Sequence, residues 1–65
     1  MSNLSAEMAR FGVSVYNVQA VLDCSEKTAR NKVNGSTEFT VAEAMKLRDA
    51  YFPGLRLEYL FASTD

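Results

Sequence analysis

The 65-residue sequence contains no histidine, no tryptophan and one cysteine, Cys24. A single cysteine cannot form an internal disulfide, which excludes a disulfide-stapled secreted miniprotein. Without histidine, one cysteine also cannot assemble a zinc site. We therefore expect a domain that is stabilised by its hydrophobic core and that binds no metal and no cofactor.

Long hydrophobic runs are also absent: the longest apolar stretches are a few residues, whereas a membrane-spanning helix needs about 20. The N-terminus lacks the basic, apolar and small-residue pattern of a signal peptide. Hydrophobic residues nevertheless make up 48% of the chain, which is a globular composition. We expect one cytoplasmic domain over residues 1–65, with no membrane partner.

The residues that usually build catalytic sites are missing as well. The sequence offers no histidine, no nucleophile–base pair and no glycine-rich phosphate loop. We therefore expect neither enzymatic activity nor a small-molecule substrate.

Glycine and proline divide the chain into segments, at Gly12, Gly35 and the Pro53-Gly54 pair. Between them the apolar residues recur at helical spacing, and only residues 13–18 alternate briefly in the manner of a strand. Because the helical spacing continues beyond that stretch, we predict an all-α fold with five short helices. Their predicted ranges are about 4–11, 15–22, 25–34, 41–52 and 56–62.

Three polar residues are placed to start helices. Ser14 and Ser25 can accept hydrogen bonds from free N–H groups of the second and third helices, and Thr40 with Glu43 has capping-box spacing. The apolar residues of each segment are expected to face the core. These are Leu4, Met8, Phe11, Val18, Val21, Leu22, Ala29, Val33, Val41, Ala44, Met45, Leu47, Tyr51, Leu57, Leu60 and Phe61.

Charge is unevenly distributed. The net charge is −1, which argues mildly against a nucleic-acid partner. Residues 24–37, however, carry Lys27, Arg30 and Lys32 against Glu26 alone. The third predicted helix is therefore a locally basic element on an acidic protein.

The polar side chains of the third helix suit the major groove of DNA. Arg30 can pair with the two acceptors of guanine and Asn31 with the acceptor and donor of adenine, while Lys27 and Ser25 suit phosphates. A helix N-terminus also attracts phosphate through its free N–H groups and dipole. In isolation, however, a serine-capped polar helix is more often a solvated surface helix.

Five segments together resemble a known family. They are GVS at 12–14, VLDCS at 21–25, NGSTEFT at 34–40, VAEAMKLRDAYF at 41–52 and LRLEYLF at 55–61. From Leu4 to Phe61 the sequence is similar to the Cro/cI-type phage repressors, also called the Xre-like helix-turn-helix family. The resemblance implies a lambda-repressor-like domain whose second and third helices form the DNA-binding unit.

The resemblance also implies a function and a set of contacts. The expected function is sequence-specific transcriptional regulation of phage or prophage type, with helix 25–34 in the major groove of double-stranded DNA. The expected state is a homodimer, at least on DNA. The DNA-binding residues carried over from the family are Ser14, Tyr16, Ser25, Glu26, Lys27, Thr28, Arg30, Asn31 and Asn34.

Three residues depart from the family pattern. Val15 stands where glutamine commonly binds phosphate, Gln19 where a small alanine lets the helices approach, and Asp23 where the turn usually has glycine. These departures keep a second hypothesis open. The chain could be a protein-interaction module, an anti-repressor or an assembly partner, on a helix-turn-helix fold that has lost DNA binding.

The remaining conspicuous residues have ordinary explanations. Cys24 fits a buried small hydrophobe better than a redox switch. Lys46 and Arg48 are expected to be solvated and paired with Glu43 or Asp49. The aromatic residues near the C-terminus fit either the core or a dimer surface; they are Tyr51, Phe52, Tyr59 and Phe61.

Overall fold

The computed structural model describes residues 3–62 and contains five helices in that range. They are α1 (Asn3–Phe11), α2 (Val15–Leu22), α3 (Glu26–Val33), α4 (Val41–Tyr51) and α5 (Leu57–Leu60). No strand occurs within the described residues. The prediction of an all-α fold with five short helices is confirmed, although the last helix is shorter than the predicted 56–62.

The boundaries of α3 and α4 follow from their caps. The Ser25 hydroxyl accepts a hydrogen bond from the Thr28 N–H at 3.2 Å. At α4 the capping box is complete: the Glu43 N–H donates to Thr40 Oγ1 at 3.1 Å and the Thr40 N–H donates to Glu43 Oε1 at 2.9 Å. Gly35, which follows α3, has a φ of 90°, a conformation that glycine adopts without a steric penalty.

A capping box formed by Ser14 and Asn17 starts α2, so the serine that was predicted to cap this helix lies at its N-cap. The Ser14 N–H donates to Asn17 Oδ1 at 2.8 Å, and the Ser14 hydroxyl donates to the same oxygen at 3.1 Å. The Asn17 amide, which was not foreseen as a cap, therefore shares this role with Ser14.

One buried cluster joins the helices. Helix α2 packs against α3 and α4, and α5 packs against α1 and α4. As a result α3 lies on the outside of the bundle, attached by one face. The fully packed members of the cluster are Leu4, Met8, Val18, Ala29, Leu47, Phe52 and Leu60.

Three residues that were expected in the core are exposed. Val41 is 75% exposed and Met45 43%, because the inward stripe of α4 runs through Ala44 and Leu47 and these two side chains lie beyond its edge. Phe11 is 55% exposed, since it lies at the end of α1 and meets the buried Phe52 only edge-on, with ring centroids 5.6 Å apart. Within residues 3–62, no helix is long and apolar enough to cross a membrane.

A buried carboxylate connects the two ends of the described chain. Glu7 is 4% exposed, and its Oε2 accepts a hydrogen bond from the Tyr59 hydroxyl at 2.5 Å. Arg10 lies 3.7 Å from the same oxygen, whereas Oε1 has no hydrogen-bond partner among the described residues. The hydrogen bond to Glu7, together with desolvation, raises the pKa of Tyr59. This contact ties α1 to α5.

We expect Tyr59→Phe to lower the free energy of unfolding, because it removes the hydroxyl donor from the buried carboxylate of Glu7. Urea denaturation followed by circular dichroism measures the change. Tyr16→Phe is the matched control: Tyr16 is 60% exposed, so its hydroxyl should change stability by no more than about 0.5 kcal/mol. Equal stability of the two variants would contradict a stabilising role for the Glu7–Tyr59 contact.

Candidate nucleic-acid interface

The turn between α2 and α3 sets the position of α3. Asp23 has a φ of 53° and caps the end of α2, and the Cys24 N–H donates to the Gln19 carbonyl at 3.3 Å. Aspartate visits the left-handed region more readily than most residues, so the turn forms without the usual glycine. Cys24 is half-buried against the core, as expected for a small apolar residue.

Close packing of α2 and α3 depends on small side chains between them. Val18 of α2 and Ala29 of α3 are both fully buried in the same cluster. Gln19, which replaces a small residue of the family pattern, is only half-buried. The larger side chain therefore does not keep the two helices apart.

Most of the predicted site residues lie on the outer surface of this helix pair. Ala29 is buried and Val33 half-buried, so the opposite side of α3 faces solvent. Asn31 is half-buried, which makes its amide less accessible than the sequence implied. The exposed members are Ser14, Tyr16, Ser25, Glu26, Lys27, Thr28, Arg30 and Asn34.

An ion pair lies on this exposed surface. Arg30 Nη2 is 2.6 Å from Glu26 Oε2, one helical turn away, and both side chains are about half exposed. The hydrogen bond and charge of Glu26 raise the pKa of Arg30, and the nearby Tyr16 hydroxyl adds a smaller contribution. Tyr16 of α2 therefore lies near Glu26 and Arg30 of α3, and Glu26 neutralises the charge of Arg30 within the protein.

Lys32 does not contribute to the exposed basic surface, although the sequence counted it there. Its ammonium donates to Glu43 Oε1 at 2.9 Å and to the Glu38 carbonyl at 3.2 Å, and it lies 5.9 Å from the centre of the Phe39 ring. Only 13% of the side chain is exposed. Lys32 therefore fixes the loop that follows α3.

The same contact corrects the predicted pairing of α4. Glu43 does not pair with Lys46 or Arg48, because its carboxylate turns back toward Thr40 and meets Lys32 there. Arg48 pairs with Asp49 at 2.7 Å, as expected. The Thr40 N–H and Lys32 together lower the pKa of Glu43.

Two of the predicted contact residues also shape the structure around them. The Ser25 hydroxyl, besides capping α3, donates to Thr28 Oγ1 at 2.9 Å. The Asn34 side-chain oxygen accepts from the Ser36 N–H at 2.9 Å and so forms a turn at the exit of α3. Ser25 and the oxygen of Asn34 are therefore engaged within the protein before any ligand binds.

A groove beyond this loop was not foreseen from the sequence. This open groove has a volume of about 1040 Å³ and is lined by apolar side chains that include Phe39, Val41 and Phe61, and by polar ones that include Lys32 and Glu38. Phe39 and Phe61 meet edge-on with ring centroids 5.1 Å apart. No local pattern indicated this groove, because Val41 has the helical spacing of a core residue of α4.

No protein-family model, curated protein or solved structure matches this chain significantly. Its function is therefore inferred from the geometry of α3 and the residues around it.

We expect Glu43→Gln to remove an acid-sensitive part of the stability. Because the folded pKa of Glu43 is lowered from 4.5, its contribution is present above that value and is lost as the pH falls through the folded pKa. Glutamine keeps the capping-box acceptor but not the charge that attracts Lys32. The variant should be less stable than the wild type by about 1 kcal/mol at neutral pH and should approach it at low pH.

Urea denaturation at pH 7 and pH 3 measures both differences. Glu58→Gln is the control, because Glu58 is 78% exposed and lies 3.8 Å from its partner Arg56. If Glu43→Gln and Glu58→Gln showed the same dependence on pH, the Lys32–Glu43 contact would have no stabilising role.

Proposed function

We propose that this protein is a sequence-specific DNA-binding regulator of the helix-turn-helix type, in which α3 enters the major groove. One observation carries this proposal. The eight-residue α3 is attached to the bundle through Ala29 and Val33 and presents Lys27 and Arg30 to solvent, with Asn34 exposed at its C-cap. Guanidinium, ammonium and amide groups on one exposed helix are the side chains that bind base edges and phosphates.

The dimensions support insertion of this helix. An α-helix with its side chains is about 10–12 Å across, and the major groove is about 12 Å wide. Since α3 lies on the outside of the bundle and packs mainly against α2, a duplex can approach its free side. This packing supports the use of α2 and α3 as one DNA-binding unit.

The charges favour selective binding over strong attraction to any duplex. Glu26 neutralises Arg30, and Lys32 is engaged by Glu43. Among residues 3–62, Lys27 has no carboxylate within ion-pair distance, so it is the side chain of α3 that is free to neutralise a phosphate. One such domain binds weakly, which supports a homodimer on two half-sites about 34–36 Å apart.

The alternative function is a protein-interaction module on the same fold. It is favoured by the neutralised Arg30, by the net charge of −1 and by the exposed Val41 beside the apolar groove. Under this alternative, the complex with the partner protein would survive Lys27→Ala and Arg30→Ala, because its formation would not depend on DNA binding.

Selection of bound duplexes from random oligonucleotides tests the proposal. We expect one enriched sequence with two half-sites, and an affinity for it that falls as salt rises, with a slope of about −0.9 per neutralised phosphate. If no duplex were bound up to high micromolar protein, the proposed DNA-binding function would be wrong and the protein-interaction module would remain.

We expect Lys27→Ala to weaken binding to all duplexes by a similar factor, because one phosphate contact is lost. The salt slope, which is the slope of log affinity against log salt concentration, should become less negative by about 0.9. Arg56→Ala is the charge-matched control. Arg56 is 80% exposed and lies just before α5, which packs mainly on α1 and α4. Titration at several salt concentrations should show an unchanged slope for Arg56→Ala. Equal slopes for the two variants would contradict a phosphate contact by Lys27.

A further inference from the structure

The carboxylate of Glu26 occupies an unfavourable position for a simple DNA-binding helix. It lies in the first turn of α3, where a DNA phosphate would otherwise be attracted. A negative charge at this place weakens binding to any duplex through repulsion. Its pair with Arg30 is exposed on both sides, and exposed ion pairs one helical turn apart contribute little to stability. A glutamate in the first turn also stabilises its helix modestly through the helix dipole. Glu26 therefore adds a little to the stability of α3 and lowers the overall affinity for DNA.

The ion pair with Glu26 restricts the orientation of the Arg30 side chain. An unpaired arginine has a long, flexible side chain that can reach a base edge or several phosphates. In this structure one N–H group of Nη2 is directed to Glu26 Oε2 at 2.6 Å. The guanidinium has five N–H groups, so the others remain available for a second, planar partner. Guanine presents two such acceptors side by side in the major groove.

We propose that Glu26 is a positioning residue that makes the protein selective for a guanine bound by Arg30, because it holds the guanidinium in one orientation and keeps it away from phosphates. This inference rests on the proposed DNA-binding function and assigns the base selectivity of that surface to the Glu26–Arg30 pair. Glu26 acts through Arg30 and does not itself bind the DNA.

The neighbouring helix supports the same arrangement. Tyr16, at the start of α2, is 60% exposed and lies close enough to Arg30 for its hydroxyl to raise the pKa of the arginine. Glu26 on α3 is the hydrogen-bond partner of this guanidinium, and Tyr16 on α2 is a neighbour with a smaller electrostatic effect on it.

Four variants test the proposal: Glu26→Ala, Glu26→Gln, Arg30→Ala and the double variant Glu26→Ala/Arg30→Ala. Each is titrated against the selected duplex, a duplex in which the guanine most sensitive to Arg30→Ala is replaced, and a random duplex. Melting temperatures are measured in parallel, and little change is expected because both side chains are about half exposed. The readouts are the ratio of affinities for the first two duplexes and the salt slope on the third.

We expect Glu26→Ala to bind the random duplex more tightly, with a salt slope steeper by about 0.9, because the released Arg30 reaches a phosphate. The affinity ratio should fall by roughly tenfold, the scale of one two-bond guanine contact. Glu26→Gln keeps an acceptor for Arg30 without the charge, so it should retain most of the ratio. In the Arg30→Ala background, the further loss of Glu26 should leave the ratio unchanged.

Two results would overturn the inference while leaving DNA binding intact. One is an unchanged affinity ratio in Glu26→Ala. The other is a further fall in the ratio when Glu26 is removed from Arg30→Ala, which would show that the carboxylate contacts a base directly. Failure of the wild-type protein to bind any duplex would overturn both this inference and the proposed function.

Discussion

Attachment of α3 to the bundle along one face, through the buried Ala29 and the half-buried Val33, is the constraint on which the rest of the structure depends. A helix of eight residues is too short to be stable alone in water, so tertiary contacts must hold it. Ala29 is fully buried against α2 and allows a close approach of the two helices. Because packing uses one face of α3, the side chains on the opposite face, among them Lys27 and Arg30, are exposed to a ligand.

Some polar residues of α3 and its flanking loops form hydrogen bonds that fix the local structure, whereas others remain exposed to a ligand. Ser25 caps the helix, the oxygen of Asn34 forms the exit turn, and Lys32 holds the following loop through Glu43. Lys27 and Arg30 remain on the exposed side. A count of basic residues along the sequence therefore overstates the positive charge that a DNA molecule would meet, because Lys32 is paired with Glu43 and Arg30 with Glu26.

Local signals in the sequence were sufficient for the helices but not for their contacts with one another. Helix ends depend on nearby residues such as Ser25 and Gly35, so they could be predicted. The Glu7–Tyr59 hydrogen bond joins residues 52 positions apart, and no local pattern indicates it. Val41 has the helical spacing of a core residue, but its exposure depends on where the neighbouring helices end, which spacing within α4 does not define.

The low net charge and the paired arginine have a common consequence for recognition. With a net charge of −1, the protein gains little long-range attraction to DNA. Discrimination between sites must then come from short-range contacts whose geometry is fixed before binding. An acidic residue beside a base-contacting arginine lowers the affinity for every duplex, but it lowers the affinity for incorrect sites most, because those sites offer no base acceptors in compensation. Under the proposed function, Glu26 would therefore exchange total affinity for selectivity.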